Sequence, residues 1–375
     1  MDYQRNVVEY RKQAGMVYDH PYDAMLDDYE PGMTVEVLEE FFGELKAEIV
    51  PFLAELMAVA ESADGKNIRN DFLDRQIPIS VQKNTSELLM NTVGYDLNRG
   101  ALRESAHPFT LGFGQTDVRI TTRYNEDAFF ASFYAVMHES GHAIYGQNVG
   151  KELEGTILDT GASLGLHESQ SRFLENIVGR SQGFWEGIYD EFMRVTEGYY
   201  ADISLQELYE AQNIVKPSFL RISADELTYS LHIMIRYEIE KMILSDPELT
   251  AEDLPALWNE KTQEYLGLTP GNYAEGILQD IHWSYGEFGY FPTYAIGNAY
   301  AAQIRDAMKE DFDLEAAARE LDFATINGWL NERIHKYGAL LETSEVMAQI
   351  TDEGLSAKHY IDYLKNKYSE LYGLQ

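Results

Sequence analysis

The feature that most constrains this chain is a pentapeptide with two histidines four residues apart, His138-Glu139-Ser140-Gly141-His142. In a helix, residues four apart lie on one face, one turn from each other. Both imidazoles can then bind one metal ion, and the glutamate can act as general base on a water that the metal activates. The motif therefore predicts a metal-bearing helix and metal-assisted hydrolysis, most often of a peptide bond.

The residues around the motif have the composition of a buried helix. Residues 126–148 contain no proline, and their apolar side chains recur at helical spacing. Asn125 is a suitable N-cap, and the two acidic residues after it suit a first helical turn. We therefore predict a helix over 126–148 that carries the motif among aromatic side chains.

A catalytic zinc site usually has three protein ligands and an open position for water. The chain contains no cysteine, which excludes disulfides, thiolate ligands and cysteine nucleophiles, so the third ligand must be His, Glu or Asp. Glu168, 26 residues after His142, is the leading candidate, and Glu175 is its rival. Spacing alone leaves the choice between these two glutamates open.

Composition restricts the partners and the cellular location that we expect. The net charge of -34 and the pI near 4.5 argue against binding to nucleic acid or to anionic membrane surfaces. No apolar run reaches transmembrane length and no secretory pattern occurs at the N-terminus, so we expect a cytoplasmic protein. Because no linker or low-complexity tract divides the chain, we expect one catalytic domain over 1–375.

Helical periodicity dominates the sequence and predicts a mainly α fold. One long helix is expected after an N-cap at Thr34, with Pro51 kinking or restarting it. The best strand signal is residues 109–124, which are rich in Thr, Val, Ile and aromatics. We predict one small antiparallel sheet beside the metal helix, where an extended peptide substrate could pair with a strand edge.

Six short motifs occur in order along nearly the whole chain: His107-Pro108-Phe109, Asp117-Val118-Arg119-Ile120-Thr121, the His138–His142 motif, His167-Glu168-Ser169-Gln170, Leu220-Arg221-Ile222-Ser223-Ala224-Asp225 and Gly276-Ile277-Leu278-Gln279-Asp280-Ile281-His282-Trp283. Together they resemble the signatures of the thermostable (Taq-type) metallocarboxypeptidase family. That family usually has Ile where Leu220 stands, which is a mild change. Six ordered motifs are far more specific than one pentapeptide.

This resemblance implies a multi-helix, gluzincin-type peptidase with a central cleft. It implies one divalent ion per chain, zinc or cobalt, bound by His138, His142 and Glu168, with Glu139 as the general base. It also implies release of single residues from peptide C-termini with broad specificity, and assembly as a homodimer.

Peptide hydrolysis passes through an oxyanion that needs an electrophile besides the metal. Tyr290 and Tyr294 are our candidates for this role, and His282 is the alternative. The chain has 26 tyrosines, so packing or surface roles are the competing interpretation for each of them.

A carboxypeptidase must also recognise the terminal carboxylate, which a guanidinium binds through two parallel hydrogen bonds. Arg221 is our first choice for this contact and Arg119 our second. The alternative for each arginine is a structural ion pair, with an acid such as Asp225 or Asp117. His107 is expected to line the cleft.

The sequence departs from the family at its N-terminus. The usual long helical segment, with a Trp-Asp followed by a Met-Pro, does not occur before the first shared motif. Such a segment is expected to wall one side of the cleft. Two alternatives therefore stay open: a metal endopeptidase or oligopeptidase with an opened cleft, and a non-catalytic relative that binds metal or peptide.

Overall fold

Helices account for most of the structure, a computed structural model that describes residues 1–62 and 65–374. The predicted mainly α class is confirmed. Within the described residues, every helix is too short or too polar to cross a membrane. In chain order the elements are α1 Asp2–Gln13, α2 Asp23–Leu26, α3 Val35–Ala60, α4 Ile79–Val93, β1 Leu102–Glu104, β2 Thr110–Gly112, β3 Val118–Thr122, α5 Phe129–Gln147, α6 Leu164–Arg172, α7 Gln182–Val195, α8 Leu205–Gln212, α9 Glu226–Ser245, α10 Leu254–Leu266, α11 His282–Tyr285, α12 Pro292–Asp311, α13 Leu314–Arg319, α14 Phe323–Arg333, α15 Thr343–Thr351 and α16 Ala357–Tyr372.

The chain divides into two units, each made of several chain segments. The first unit comprises Met1–Lys66, Val215–Ala299 and Leu355–Gln375. The second unit comprises Asn67–Ile214 and Tyr300–Gly354. Organisation as one catalytic domain over 1–375 stays a prediction.

Helix α3 of the first unit shows how capping and burial set an element. The Thr34 hydroxyl accepts a hydrogen bond from Val37 N at 3.4 Å, so the predicted N-cap is confirmed. The helix does not restart at Pro51, which lies on its exposed face. Ile49 and Phe52, on either side of the proline, are buried, and α3 packs against α9 and α16. Burial of the apolar face therefore holds the helix together across the missing backbone donor.

The three strands form one small sheet in the second unit, in the order β1-β3-β2. Strand β2 pairs antiparallel with β3, with Leu111 opposite Arg119, as predicted. Strand β1 pairs parallel with β3, with Leu102 opposite Ile120, so the sheet is mixed rather than antiparallel. The chain reverses between β1 and β2 and again between β2 and β3, so β1 and β3 run in the same direction. The strand signal at 109–124 did not include β1.

Helix α5 begins at Phe129, three residues later than predicted. Asn125 is not its cap, because its Oδ1 accepts from Asp127 N at 3.1 Å in the turn before the helix. The first turns of α5 lie in an aromatic cluster, where the Phe133 ring stacks on Trp185 with centroids 5.3 Å apart. This packing fixes the helix at one end and leaves its later turns to carry the motif.

Candidate metal centre

Three side chains of α5 and α6 converge in the second unit. His138 and His142 come from α5 and Glu168 comes from α6, and their ligand atoms all lie within 4.8 Å of one another. The Glu168 Oε2 atom lies 3.6 Å from His138 Nε2 and 3.3 Å from His142 Nε2. The fold therefore brings together the three residues that the family resemblance implied as metal ligands.

The two helices approach closely because Gly141, inside the motif, has no side chain. A Cβ atom at this position would clash with the backbone of Gln170 and Ser171 on α6. Glu168 lies on the same short helix and can therefore reach the two histidines. Gly141 thus allows the close helix packing that places Glu168 beside His138 and His142.

The second nitrogen of each histidine has its own partner. His138 Nδ1 lies 2.9 Å from Glu175 Oε2, and His142 Nδ1 lies 2.6 Å from His167 Nδ1. Such contacts fix the orientation and tautomer of a ligand imidazole and leave Nε2 for the metal. Glu175, the rival third ligand, thus contacts the opposite ring nitrogen from Glu168.

Arg172, the last residue of α6, bridges the two carboxylates. Its Nε donates to Glu168 Oε1 at 2.7 Å and its Nη1 donates to Glu175 Oε2 at 3.1 Å. Glu175 lies in a π-helical turn, Phe173–Val178, that follows α6 directly. Wide turns of this kind are frequent at functional sites.

The charged neighbours and the burial of this centre set the ionisation of its carboxylates and of His167. Burial raises the pKa of Glu168, but Arg172 and the two histidines outweigh it and hold the pKa well below its usual range. For Glu175 the same competition, led by burial and Arg172, lowers the pKa to about 2. Burial and the charge of His142 lower the pKa of His167 to about 3, so His167 is neutral and its Nδ1 can accept from His142. The ionised carboxylates suit a cation. Burial opposes protonation of His138, but Glu168 and Glu175 outweigh it and raise the pKa of that imidazole, so a metal ion displaces a proton there when it binds.

Glu139 is buried beside the first motif histidine. The Thr110 hydroxyl donates to Glu139 Oε2 at 2.6 Å and also lies 3.2 Å from the Glu139 carbonyl oxygen. Thr110 begins β2, so the small sheet orients this carboxylate. Thr110 was not among the residues predicted from the sequence, because which threonine of a strand faces a neighbouring helix depends on the strand register.

The donor set fits a divalent metal ion. Two imidazole nitrogens and one carboxylate oxygen lie within 4.8 Å of one another. Each donor group is oriented by a further side chain. Two histidines and a glutamate are a known donor combination for catalytic zinc, with a position left for water. The residues present therefore suit the metal that the family resemblance implied.

In the first unit, Arg221 is 7% exposed and its guanidinium donates hydrogen bonds to two neighbours. Its Nε and Nη2 donate to Asp280 Oδ1 at 3.1 and 2.8 Å, and its Nη1 donates to Tyr229 OH at 2.9 Å. Arg236 Nε donates to the other oxygen of Asp280 at 2.7 Å. Asp225, an alternative partner considered for Arg221, instead caps helix α9. Two guanidinium groups thus share one carboxylate.

The aromatic candidates lie around Arg221 in the same unit. His282 Nε2 lies 3.4 Å from Tyr294 OH, and the Tyr290 and Tyr294 rings are 5.4 Å apart. The Arg221 guanidinium lies 4.9 Å from the Tyr294 ring centroid. Four of the residues that the sequence analysis selected therefore form one cluster.

Arg119 and His107 have different surroundings. Arg119 lies on β3 with an exposed side chain, and it donates two hydrogen bonds to Asp117 at 2.8 and 2.6 Å. This is the local ion pair that we weighed as its alternative role. His107 is exposed in the β1–β2 connection, where its carbonyl oxygen accepts from Ser105 and Thr121.

Known proteins resemble this chain over almost its full length. Residues 1–368 match the family model described as carboxypeptidase Taq (M32) metallopeptidase. Carboxypeptidase 1 of Bacillus subtilis is 45% identical over 374 residues, which cover 99% of this chain and 74% of that protein. Thermostable carboxypeptidase 1 of Thermus thermophilus is 43% identical over 357 residues, covering 95% of this chain and 69% of that protein. The crystal structure of the M32 carboxypeptidase from Deinococcus radiodurans R1 superposes with a TM-score of 0.93 at 36% identity, covering 100% of this chain and 73% of that one.

A helical fold with a partly buried His-His-Glu donor set, and a glutamate beside the first histidine, defines a metallopeptidase. The chain belongs to the carboxypeptidase Taq (M32) metallopeptidase family. It is therefore a hydrolase of the metallocarboxypeptidase class, and the family resemblance seen in the sequence is confirmed.

Proposed function

We propose that this protein removes single residues from the free C-termini of peptides and tolerates many side chains at the position removed. We also propose that one zinc or cobalt ion is held by His138, His142 and Glu168. The observation that carries the proposal is the convergence of these three donors within 4.8 Å, beside the buried carboxylate of Glu139.

A divalent ion in this donor set would supply a Lewis acid and an activated water. Glu139 takes the proton of the attacking water and passes it to the leaving amine. Thr110 holds the Glu139 carboxylate in one orientation through its hydroxyl. Glu175 and His167 hold the two imidazoles, so both ligand rings are already oriented before the substrate arrives.

We propose that Arg221 binds the terminal carboxylate of the peptide, with Arg119 as the second candidate. The support is charge, because Arg221 and Arg236 share the single, largely buried carboxylate of Asp280 and so retain affinity for an anion. Tyr290 and Tyr294, with His282 as the alternative, are proposed to stabilise the oxyanion that develops at the scissile carbonyl.

His107 is proposed to line the substrate site. Assembly as a homodimer, a cytoplasmic location and organisation as one catalytic domain over 1–375 stay predictions. Sedimentation analysis of the purified protein would test the assembly directly.

The proposed activity is tested by mass spectrometry over time. The protein, loaded with zinc or with cobalt, is incubated with two peptides of one sequence, one with a free and one with an amidated C-terminus. We expect stepwise loss of single residues from the free peptide only. Glu139→Gln should abolish this loss while binding the same amount of metal, because it removes a proton acceptor and no metal ligand.

Other outcomes would point to the alternatives. Equal cleavage of the amidated peptide, or fragments cut internally, would indicate an endopeptidase. Stoichiometric metal with no cleavage of either peptide would indicate a binding protein. Comparison of the two metals at equal occupancy would show which one supports the faster turnover.

A further inference from the structure

A cavity of about 150 Å³ lies beside His142 in the second unit. Its walls come from the β2–β3 hairpin, from the later turns of α5 and from the segment that leads into α6. Thr110, which donates to the Glu139 carboxylate, also lines this cavity. Two lining residues therefore belong to the site already described: His142 is one of the metal donors, and Thr110 is the hydrogen-bond partner of Glu139, the general base.

Glycines are prominent among the residues that line the cavity. Gly112, Gly146 and Gly161 all line it. A Cβ atom on Gly112 would meet only Val118, at 3.9 Å, so the space in front of that strand residue is open. A cavity of this volume holds a molecule of about the size of a benzene ring, so an amino-acid side chain fits.

One charged side chain, Asp159, faces this space among the described residues that line it, and none of them is Lys or Arg. Its Oδ1 atom is buried and has no hydrogen-bond partner among the described residues. Its Oδ2 atom accepts from Gly155 N at 3.4 Å, which is a long contact. The Oδ2 atom lies at the cavity wall, because a Cβ atom on Gly114, another lining residue, would stand 3.2 Å from it, so a cation in the cavity can pair with this oxygen.

We propose that this cavity is a specificity pocket for a cationic side chain of the peptide, Lys or Arg, with Asp159 as its counter-ion. The proposal rests on the proposed carboxypeptidase function and deepens it by naming a favoured substrate class. A carboxylate on a pocket wall selects cationic side chains in other peptidases by the same physics. Because Thr110 and His142 border both the pocket and the reacting groups, the side chain belongs to a residue adjoining the scissile bond.

The test uses two matched peptide series. In one series only the last residue varies, among Arg, Lys, Gln and Leu, and in the other only the penultimate residue varies in the same way. In one of the two series, Asp159→Asn should lower kcat/KM for Arg and Lys by about 10- to 100-fold, as expected for loss of a charged hydrogen bond. The Gln and Leu peptides should change less than about twofold. The series that responds identifies the position that the pocket serves.

Two further variants sharpen this result. Glu154→Gln removes an exposed charge from the same connecting segment and should leave every peptide unchanged. Gly112→Leu fills the open space and should lower kcat/KM for Arg, Lys and Leu alike in the responding series. It provides a second route to the pocket if Asp159→Asn does not fold.

Equilibrium binding separates this proposal from the proposed function. In a Glu139→Gln background, a peptide with Arg at the responding position should bind more tightly than its Leu counterpart, and Asp159→Asn should remove the difference. This measurement needs no turnover, so it tests whether the pocket prefers a cationic side chain even if the protein cleaves no peptide. Equal binding of the two peptides, or an equal loss for all peptides in Asp159→Asn, would overturn the pocket proposal.

Discussion

In the second unit two carboxylates, Glu168 and Glu175, share the guanidinium of Arg172, whereas in the first unit two guanidinium groups share the carboxylate of Asp280. Arg180 also lies 3.6 Å from Glu175, so the cluster of the second unit has two carboxylates and two guanidinium groups, and its one carboxylate oxygen that faces the Nε2 atoms of both imidazoles is Glu168 Oε2. The cluster of the first unit has two guanidinium groups and one carboxylate, and it retains positive charge beside aromatic rings. These arrangements suit a metal cation in the second unit and an anion in the first.

The same ion pairs explain the ionisation of these groups. Burial raises the pKa of Asp280, but Arg236 and Arg221 outweigh it and lower the pKa to about 2. Each carboxylate in the two clusters is therefore ionised in the folded protein. Buried charges of this kind are tolerated when they are paired, as these carboxylates are.

The largest effect is expected on metal affinity, from a change in the carboxylate that faces the two imidazoles. Glu168→Gln removes the charged donor and should lower metal affinity by more than about 100-fold, since changes behind a ligand already cost 10- to 100-fold. Glu175→Gln is the matched control and should fall within that smaller range, because Glu175 acts through His138. Competition with a chelator measures both variants. Equal losses would show that the two glutamates do not differ in role.

A change in the guanidinium cluster around Asp280 should lower activity on the substrate and leave metal affinity unchanged. Arg221→Gln is expected to lower kcat/KM for free C-termini by about 100-fold, because two charged hydrogen bonds to the carboxylate are lost. Metal affinity should stay as in the parent protein. Arg119→Gln is the comparison variant, and a loss there instead of at Arg221 would reassign the carboxylate contact.

Glu240 in the first unit is a buried carboxylate whose hydrogen bonds come from neutral groups, in contrast to the carboxylates of the two clusters. Glu240 accepts from Tyr22 OH at 2.5 Å, Trp283 Nε1 at 2.5 Å and Gly289 N at 2.9 Å. Burial raises the pKa of Glu240 to about 7, although these hydrogen bonds act in the opposite direction. Without a dedicated guanidinium, burial decides the ionisation.

This raised pKa makes stability depend on pH in a stated direction. The unfolded chain ionises Glu240 near its ordinary pKa of 4.5, so folding is favoured by the full amount below that pH. The contribution is lost as the pH rises to about 7, by about 3 kcal/mol in total. Urea unfolding at pH 5 and pH 8 should show most of this loss as a pH-dependent difference in unfolding free energy between the parent protein and Glu240→Gln. A difference between the two proteins that is the same at both pH values would contradict it.

The smallest effect is expected at the hydroxyl that orients the general base. Thr110→Val removes its hydrogen bond to Glu139 and should lower kcat by about 10-fold or somewhat more, with KM and metal affinity little changed. Thr110→Ser keeps the hydroxyl and should retain most of the rate. If the serine variant loses as much activity as the valine variant, Thr110 acts through packing of β2 on α5 and not through this hydrogen bond.

The sequence by itself determined the features that depend on local spacing. Two histidines four apart on a helix must share a face, so the pairing of His138 and His142 follows from helix geometry alone. The N-cap at Thr34 and the mainly α class follow from equally local signals. The six ordered motifs were sufficient to recognise the family.

Only the tertiary structure decided which distant residues meet. The choice between Glu168 and Glu175 depends on how α6 packs against Gly141, and the contact of Thr110 with Glu139 depends on the register of β2. The pairing of Arg221 with Asp280 spans 59 residues of sequence. Contacts of this kind are set by helix packing and strand register, which no local pattern encodes, whereas spacing within one helix is fixed by the backbone itself.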